Sequence, residues 1–410
     1  MEIFLLFSVL ITLAALFSYL NVRILKLPSG ISLMLLGALA ALTVICIGYI
    51  SGSFTALIEK ELSLIDFSDF LLGILLSFLL FAGALHVNLS DLLRASKSIA
   101  SFAVMGTLIS TVLVGYGFYF IMDLLDKPVP IIYCLLLGAL ISPTDPIAVM
   151  GILKQAGLSK AMETNIIGES LFNDGIGVVV FATLLKIASV GIGNFGAGAI
   201  GLLFLQEAGG GLLIGGLVGL TGYQLMKSID HFQTEILISL AMVMGGYSLC
   251  HLLHVSGPLA MVVAGIMTGN RGKALAMSDM TRDYLGKFWE VIDEILNAVL
   301  FLLIGLEIVI VDFKLIYIII GLVMSVVVVT FRFVALYTTA GLFRFIKDFP
   351  LSSLKIMAWG GLRGGISVAL ALSLPTSPFK NIIVPVTFVI VLFSILIQGL
   401  TISRLIKRYK

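Results

Sequence analysis

The sequence predicts an all-α polytopic membrane protein of thirteen transmembrane helices, two of them interrupted in mid-span, and three observations carry that reading. The first is solvent. Of the 410 residues, 60% are apolar and 12% charged, with a mean hydropathy of +1.16, too little charge to cover the outside of water-soluble domains. The second is length: apolar runs of about 18 residues or more recur along the chain, each able to cross about 30 Å of hydrocarbon as a helix. None alternates apolar and polar residues as the strands of a membrane barrel do. The third is a pair of breaks inside such runs, Ser142-Pro143-Thr144-Asp145-Pro146 and Trp359-Gly360-Gly361-Leu362-Arg363-Gly364-Gly365.

In chain order the spans fall near 3–20, 31–50, 69–87, 99–122, 130–151, 164–186, 199–226, 234–253, 255–269, 290–310, 315–337, 353–374 and 382–401. The first has no basic region before it and no small-residue cleavage site after it, so it reads as a retained span and not as a signal peptide. Orientation follows from the loops. With the N-terminus outside, 18 of the 25 lysines and arginines lie inside, five (Lys60, Lys127, Lys186, Lys314, Lys380) lie outside, and Arg332 and Arg363 stay within spans. The C-terminus is then cytoplasmic, and a bacterial or archaeal inner membrane is the expected location.

No predicted loop exceeds about 20 residues and little chain follows the last span, so residues 1–410 are expected to form a single membrane unit without a soluble regulatory or catalytic domain. A phosphate-binding Gly-x-x-x-x-Gly-Lys-Ser/Thr loop is absent from the sequence. The formal net charge of +2 and the scatter of the basic residues argue against a nucleic-acid partner. Cys46, Cys134 and Cys250 lie in separate apolar runs and read as packing residues. No cofactor is expected.

The breaks have physical causes. In the fifth span two prolines remove backbone donors and clash with preceding carbonyls, so the helix should unwind there. In the twelfth, four glycines in six residues make a poor helix on entropic grounds. The breaks lie seven spans apart, so the two spans run in opposite directions, as an inverted-topology repeat requires. Paired interruptions of this kind point to the binding site of a secondary transporter.

The intramembrane carboxylates are Asp145 in the fifth span and Glu169 and Asp174 in the sixth. An ionised group buried in hydrocarbon must be paired, protonated or facing water, so each is a candidate for function, with a structural salt bridge as the alternative. Along Gly168-Glu169-Ser170-Leu171-Phe172-Asn173-Asp174-Gly175, residues four apart stack. Ser170 lies under Asp174 and Glu169 under Asn173, giving two adjacent polar rows that must face the protein interior. A dehydrated monovalent cation needs oxygen ligands, and Asp174, Ser170, Thr144 and Asp145 offer carboxylate, hydroxyl and unwound backbone together. Burial favours the neutral form of an aspartate and nearby cations its ionised form, so its proton can be exchanged for a metal ion. One carboxylate with two competing cations is the core of an antiporter.

Arg332 and Arg363 need partners of their own, because an unpaired guanidinium is very costly in a span. Arg332 is assigned to Glu169. Arg363 belongs beside the broken helices, where it could offset exposed carbonyl ends or Asp145.

At these residues the chain resembles the NhaP-type sodium/proton antiporters of the cation:proton antiporter superfamily, within its monovalent cation:proton antiporter 1 family. The matching pieces are Ser142-Pro143-Thr144-Asp145-Pro146, the Gly168–Gly175 segment, Ile304-Gly305-Leu306-Glu307 and Gly360-Gly361-Leu362-Arg363-Gly364, in the expected order. The resemblance implies thirteen helices, a homodimer, and a core of helices around 99–187 and 315–401 that moves against dimerisation helices from the remainder. It implies that Asp174 binds the ion, helped by Ser170 and Thr144, that Asp145 contacts it through water, and that Asn173 steadies the crossing region. It also implies a bridge from Glu169 to Arg332. The Asn173-Asp174 pair, in place of two aspartates, resembles the electroneutral branch. The chain departs from the pattern in the third span, where many relatives read Phe-Glu-Gly and this sequence has Phe81-Ala82-Gly83.

The resulting expectation is a secondary active antiporter that takes Na+, with Li+ as a second candidate, in exchange for H+ by alternating access, contributing to pH homeostasis. A K+/H+ antiporter and a cation-coupled carrier of an organic anion are the alternatives. An intramembrane serine hydrolase is rejected because Ser170 has no histidine in a facing span and no following Gly-x-Gly turn. His251 and His254 read as interfacial residues without a third ligand, and His86 as a helix-end residue or a pH sensor. Gly211, Gly215 and Gly219 read as a helix-packing stripe. Glu307, Asp293 and Glu294 are placed near span ends as solvated anchors.

Overall fold

The structure is a computed structural model that describes residues 2–50, 70–145, 158–190, 197–273, 276–309, 311–343 and 349–409. Pro146 of the first break, and Lys60, Lys154, Arg344, Lys347 and Lys410 of the loop-charge reading, lie outside the described residues.

The named elements of the described chain are all helices. Helices α1 (Glu2–Leu20), α2 (Ser29–Ile50) and α3 (Leu76–Leu85) are followed by α4 (Leu89–Ser101) and α5 (Thr107–Leu124), which a π-helical turn joins into one rod. Then come α6 (Ile131–Ile141), α7 (Lys160–Val190), α8 (Ala197–Lys227), α9 (Phe232–Leu252), α10 (Gly257–Met267) and α11 (Asp279–Leu306). The chain closes with α12 (Leu315–Leu342), α13 (Leu351–Gly360), α14 (Gly365–Leu372), α15 (Lys380–Phe393) and α16 (Gly399–Tyr409).

Eight of these rods are long and apolar enough to cross a membrane. Others fall short for identifiable reasons. α6 stops where the Ser142-Pro143 pair begins, α13 and α14 are severed by Gly360–Gly364, and the first half of α11 carries charge. α11 also starts at Asp279, where the apolar pattern alone placed a span from about 290.

The helices pack as neighbours, α2 along α11, α5 along α6, α12 along α15, and α10 between α3 and α8. Gly211, Gly215 and Gly219 of α8 all face α10, against Ser256, Ala260 and Met267, so this stripe serves packing within the chain. Two buried apolar clusters result, one with Phe118, Leu137, Phe301 and Phe388, the other with Phe81, Met261, Leu285 and Trp289. α7 supplies Ile176 and Val179 to the first and Leu171 to the second, so it lies on their seam. Ser98 Oγ of α4 donates to Asn165 Oδ1 at 2.6 Å and holds one end of α7 in place. Outward-facing leucines such as Leu202, Leu213 and Leu217 on α8 suit a lipid surround.

Candidate functional site

The two breaks meet. After α6 the helix stops, and the Asp145 N–H donates to the Leu362 carbonyl at 2.8 Å, pairing the first interruption with the second in an antiparallel bridge. This contact satisfies backbone groups that the broken helices leave open. Gly364 lies against the Asp145 carboxylate so closely that a Cβ there would collide with Oδ2. A glycine is needed for that approach. On the other side, Gly177 of α7 admits the ring of Pro143, which a Cβ would strike.

Arg363 is 2% exposed and serves the carbonyls of the first break. Its Nη1 donates to Ser142 O at 2.8 Å and Pro143 O at 2.9 Å, while its own N–H donates to Ser394 Oγ at 2.9 Å. A guanidinium at the carbonyl end of α6 complements the negative end of the helix dipole and satisfies two acceptors at once. Of the two roles left open for Arg363, these contacts are with the carbonyl ends.

A second set of contacts runs from α12 through α7 to the first break. Arg332 is fully buried, and its Nη2 donates to both Glu169 oxygens at 2.6 Å. Asn173 Nδ2 donates to Glu169 Oε1 at 2.7 Å and to Thr144 Oγ1 at 2.9 Å, and Asn173 Oδ1 accepts from the Thr144 N–H at 3.2 Å. Thr144 Oγ1 and Ser170 Oγ lie 3.0 Å apart. One asparagine thus ties the buried ion pair to the unwound backbone.

Asp174 stands apart from that network. It is 4% exposed and, with Asp145, lines a cavity of about 50 Å³ walled by Leu79, Leu80, Leu171 and Leu300. It lies within electrostatic reach of Asp145, Glu169 and Arg363. The candidate residues therefore divide into two groups: Glu169, Arg332, Asn173, Thr144 and Ser170 in one hydrogen-bonded chain, and Asp145 and Asp174 on the cavity. Asp174 and Glu169 are also within electrostatic reach of Arg363, so acidic and basic side chains are gathered around the two breaks.

Some residues fall elsewhere than expected. Glu307, read as a solvated anchor, is 7% exposed and lines a separate cavity of about 340 Å³ with Lys314, Lys380 and Asn381. It begins a buried 3-10 turn, Glu307–Val309, that follows the end of α11. Asp293 belongs to a helix that extends well past it in both directions, and Asn297, which the sequence reading passed over, is 8% exposed one turn further on. A polar residue four positions from a carboxylate inside an apolar run was the available signal. His251 and His254 line a cavity of about 230 Å³ with Glu207. Among the described residues, no group of three or more His, Cys, Asp or Glu side chains is arranged to hold a metal ion.

Helices joined through paired interruptions, with two carboxylates, one of them buried, on a small cavity between apolar clusters, define a polytopic helical membrane transporter. Residues 10–408 match the family described as sodium/hydrogen exchanger, transmembrane, and the chain belongs to that family as an NhaP-type member. It is 45% identical to the Na+/H+ antiporter NhaP of Pseudomonas aeruginosa over 97% of this chain and 95% of that protein. It is 33% identical to the Na+/H+ antiporter NhaH of Halobacillus aidingensis over 99% and 97%. The fold is similar to that of the sodium proton antiporter MjNhaP1 of Methanocaldococcus jannaschii, with a TM-score of 0.78 at 19% identity over 100% of this chain and 99% of that one.

Proposed function

We propose that the chain is a secondary active antiporter that exchanges Na+ for H+ across the membrane, both ions competing for Asp174. The observation that carries this reading is the small cavity that Asp145 and Asp174 share, with Asp174 buried and outside the hydrogen-bonded chain of Glu169, Arg332 and Asn173. A cavity of about 50 Å³ has room for an ion with a little water. The names of the relatives favour sodium among the inorganic cations.

In this reading the helices make thirteen spans with the N-terminus outside and the C-terminus in the cytoplasm. The chain segments of the two breaks are crossing helices of an inverted repeat. Helices around 99–187 and 315–401 form a transport core that rocks against the remaining helices, which also carry a homodimer interface in the lipid bilayer. Asp174, Ser170 and Thr144 ligate the cation as it passes, and Asp145 assists through water. The Glu169–Arg332 bridge and Asn173 keep the unwound backbone in register with α7. Because a proton and a monovalent cation neutralise the same charge, exchange is electroneutral, which suits a role in pH homeostasis.

The test is a proteoliposome assay that follows internal pH as sodium, lithium, potassium and choline are added in turn. Sodium should drive proton movement and choline should not. Asp174→Asn retains shape and hydrogen-bonding capacity and should fold yet exchange nothing. Substantial exchange by a folded Asp174→Asn protein would remove the single-carboxylate mechanism.

A further inference from the structure

α11 carries a polar face that the site described so far does not use. Asp293, Asn297 and Leu300 are spaced four and three residues apart, so they share one side of the helix. Leu300 is a wall of the cavity that holds Asp145 and Asp174. The two polar residues therefore continue the face of that wall by one turn and by two, toward the end of α11 that carries Arg282 and Lys287.

Both residues have oxygen atoms without a hydrogen-bond donor. Asn297 Nδ2 donates to the Asp293 carbonyl at 2.9 Å, which fixes the amide and leaves its Oδ1 buried and unpartnered. Asp293 Oδ1 is buried and unpartnered as well. A buried acceptor without a donor is costly, more so when charged, so two on one face call for an explanation. Two such oxygens, one from a carboxylate and one from an amide, are of the kind that coordinates a monovalent cation. Asp293 is also close enough to Asp145 for their charges to interact.

We propose that Asp293 and Asn297 form a second, transient cation site on α11, where a partly hydrated monovalent cation rests between the basic-loop end of the helix and the Asp145–Asp174 cavity. This inference rests on the reading of Asp174 as the exchange site. The carboxylate of Asp293 draws the cation in, and the Asn297 oxygen replaces water lost on the approach. The site holds the ion weakly, because a cation bound tightly here would not move on.

Sided transport distinguishes this role from a structural one. In membrane vesicles of each orientation, Asp293→Asn and Asn297→Ala should raise the apparent KM for sodium by about tenfold, the loss expected when a charged or polar ligand oxygen is removed. The rise should occur only when sodium is offered from the face where the basic end of α11 lies, with the maximal rate little changed. Asn297→Asp, which adds a carboxylate, should lower that KM. An unchanged KM at both faces, or a fall in maximal rate alone, would overturn the transient site. Asp174→Asn is assayed alongside: its loss of exchange together with an unmoved KM in the α11 variants would discard this site and leave the Asp174 reading intact, whereas exchange by Asp174→Asn would discard the reading on which both rest.

Discussion

Asn173 Nδ2 stands 2.7 Å from Glu169 Oε1, one helical turn away, and the same amide group reaches Thr144 across the first break. This places an uncharged donor where a second aspartate would bring a negative charge against an existing carboxylate. Arg332 and Asn173 both donate to the Glu169 carboxylate, and Asp174 is left as the carboxylate on α7 that faces the cavity.

The ion pair itself sets the first prediction. Breaking a buried pair by removing one partner typically costs about 3–5 kcal/mol, because the remaining charge has no compensation. Glu169→Ala and Arg332→Ala should each lower the melting temperature of the purified protein. The double variant should lose less than the sum, since no orphaned charge remains. Additive losses would mean that the two side chains do not act as a pair.

A second prediction concerns the close approach at Gly364. A methyl group there must displace the Asp145 carboxylate, so Gly364→Ala should impair sodium-driven exchange more than it lowers thermal stability. Arg363→Gln should instead affect both, because the Ser142 and Pro143 carbonyls lose their charged donor. Wild-type exchange by Gly364→Ala would show that the position of Asp145 is immaterial.

These residues also show what can be read before a structure. Glu169 and Arg332 were legible as charges isolated in apolar runs, where energetics demands a partner. The breaks were legible because proline and glycine act on the local backbone. The partners of Arg363 depend on how one interruption packs on the other, so sequence left carbonyl ends and Asp145 equally available. The hydrogen bonds of Thr144 to Asn173 depend on a tertiary fit that includes the Pro143 ring against Gly177. Glu307, read as solvated, is buried because a 3-10 turn follows the last turn of α11, and α11 begins earlier than a hydropathy window places it because the helix continues through charged residues that such a window excludes.

Electroneutrality gives a third prediction. Clamping the membrane potential with valinomycin and potassium should leave the rate of sodium-driven proton movement unchanged. A rate that follows the imposed voltage would show that a second charge travels with the ion. Asn173→Asp places a carboxyl group beside Glu169 and should destabilise the protein, most strongly at alkaline pH, where both groups are ionised.

The central claim is that proton and cation share one carboxylate, and the apparent sodium affinity of the wild-type protein, measured from alkaline to acidic pH, tests it most directly. Protons occupy Asp174 increasingly as pH falls, so the apparent affinity should weaken by up to about tenfold per pH unit, while the maximal rate changes less. An apparent affinity that stays flat across that range, with only the maximal rate responding to pH, would show that proton and cation bind at different places.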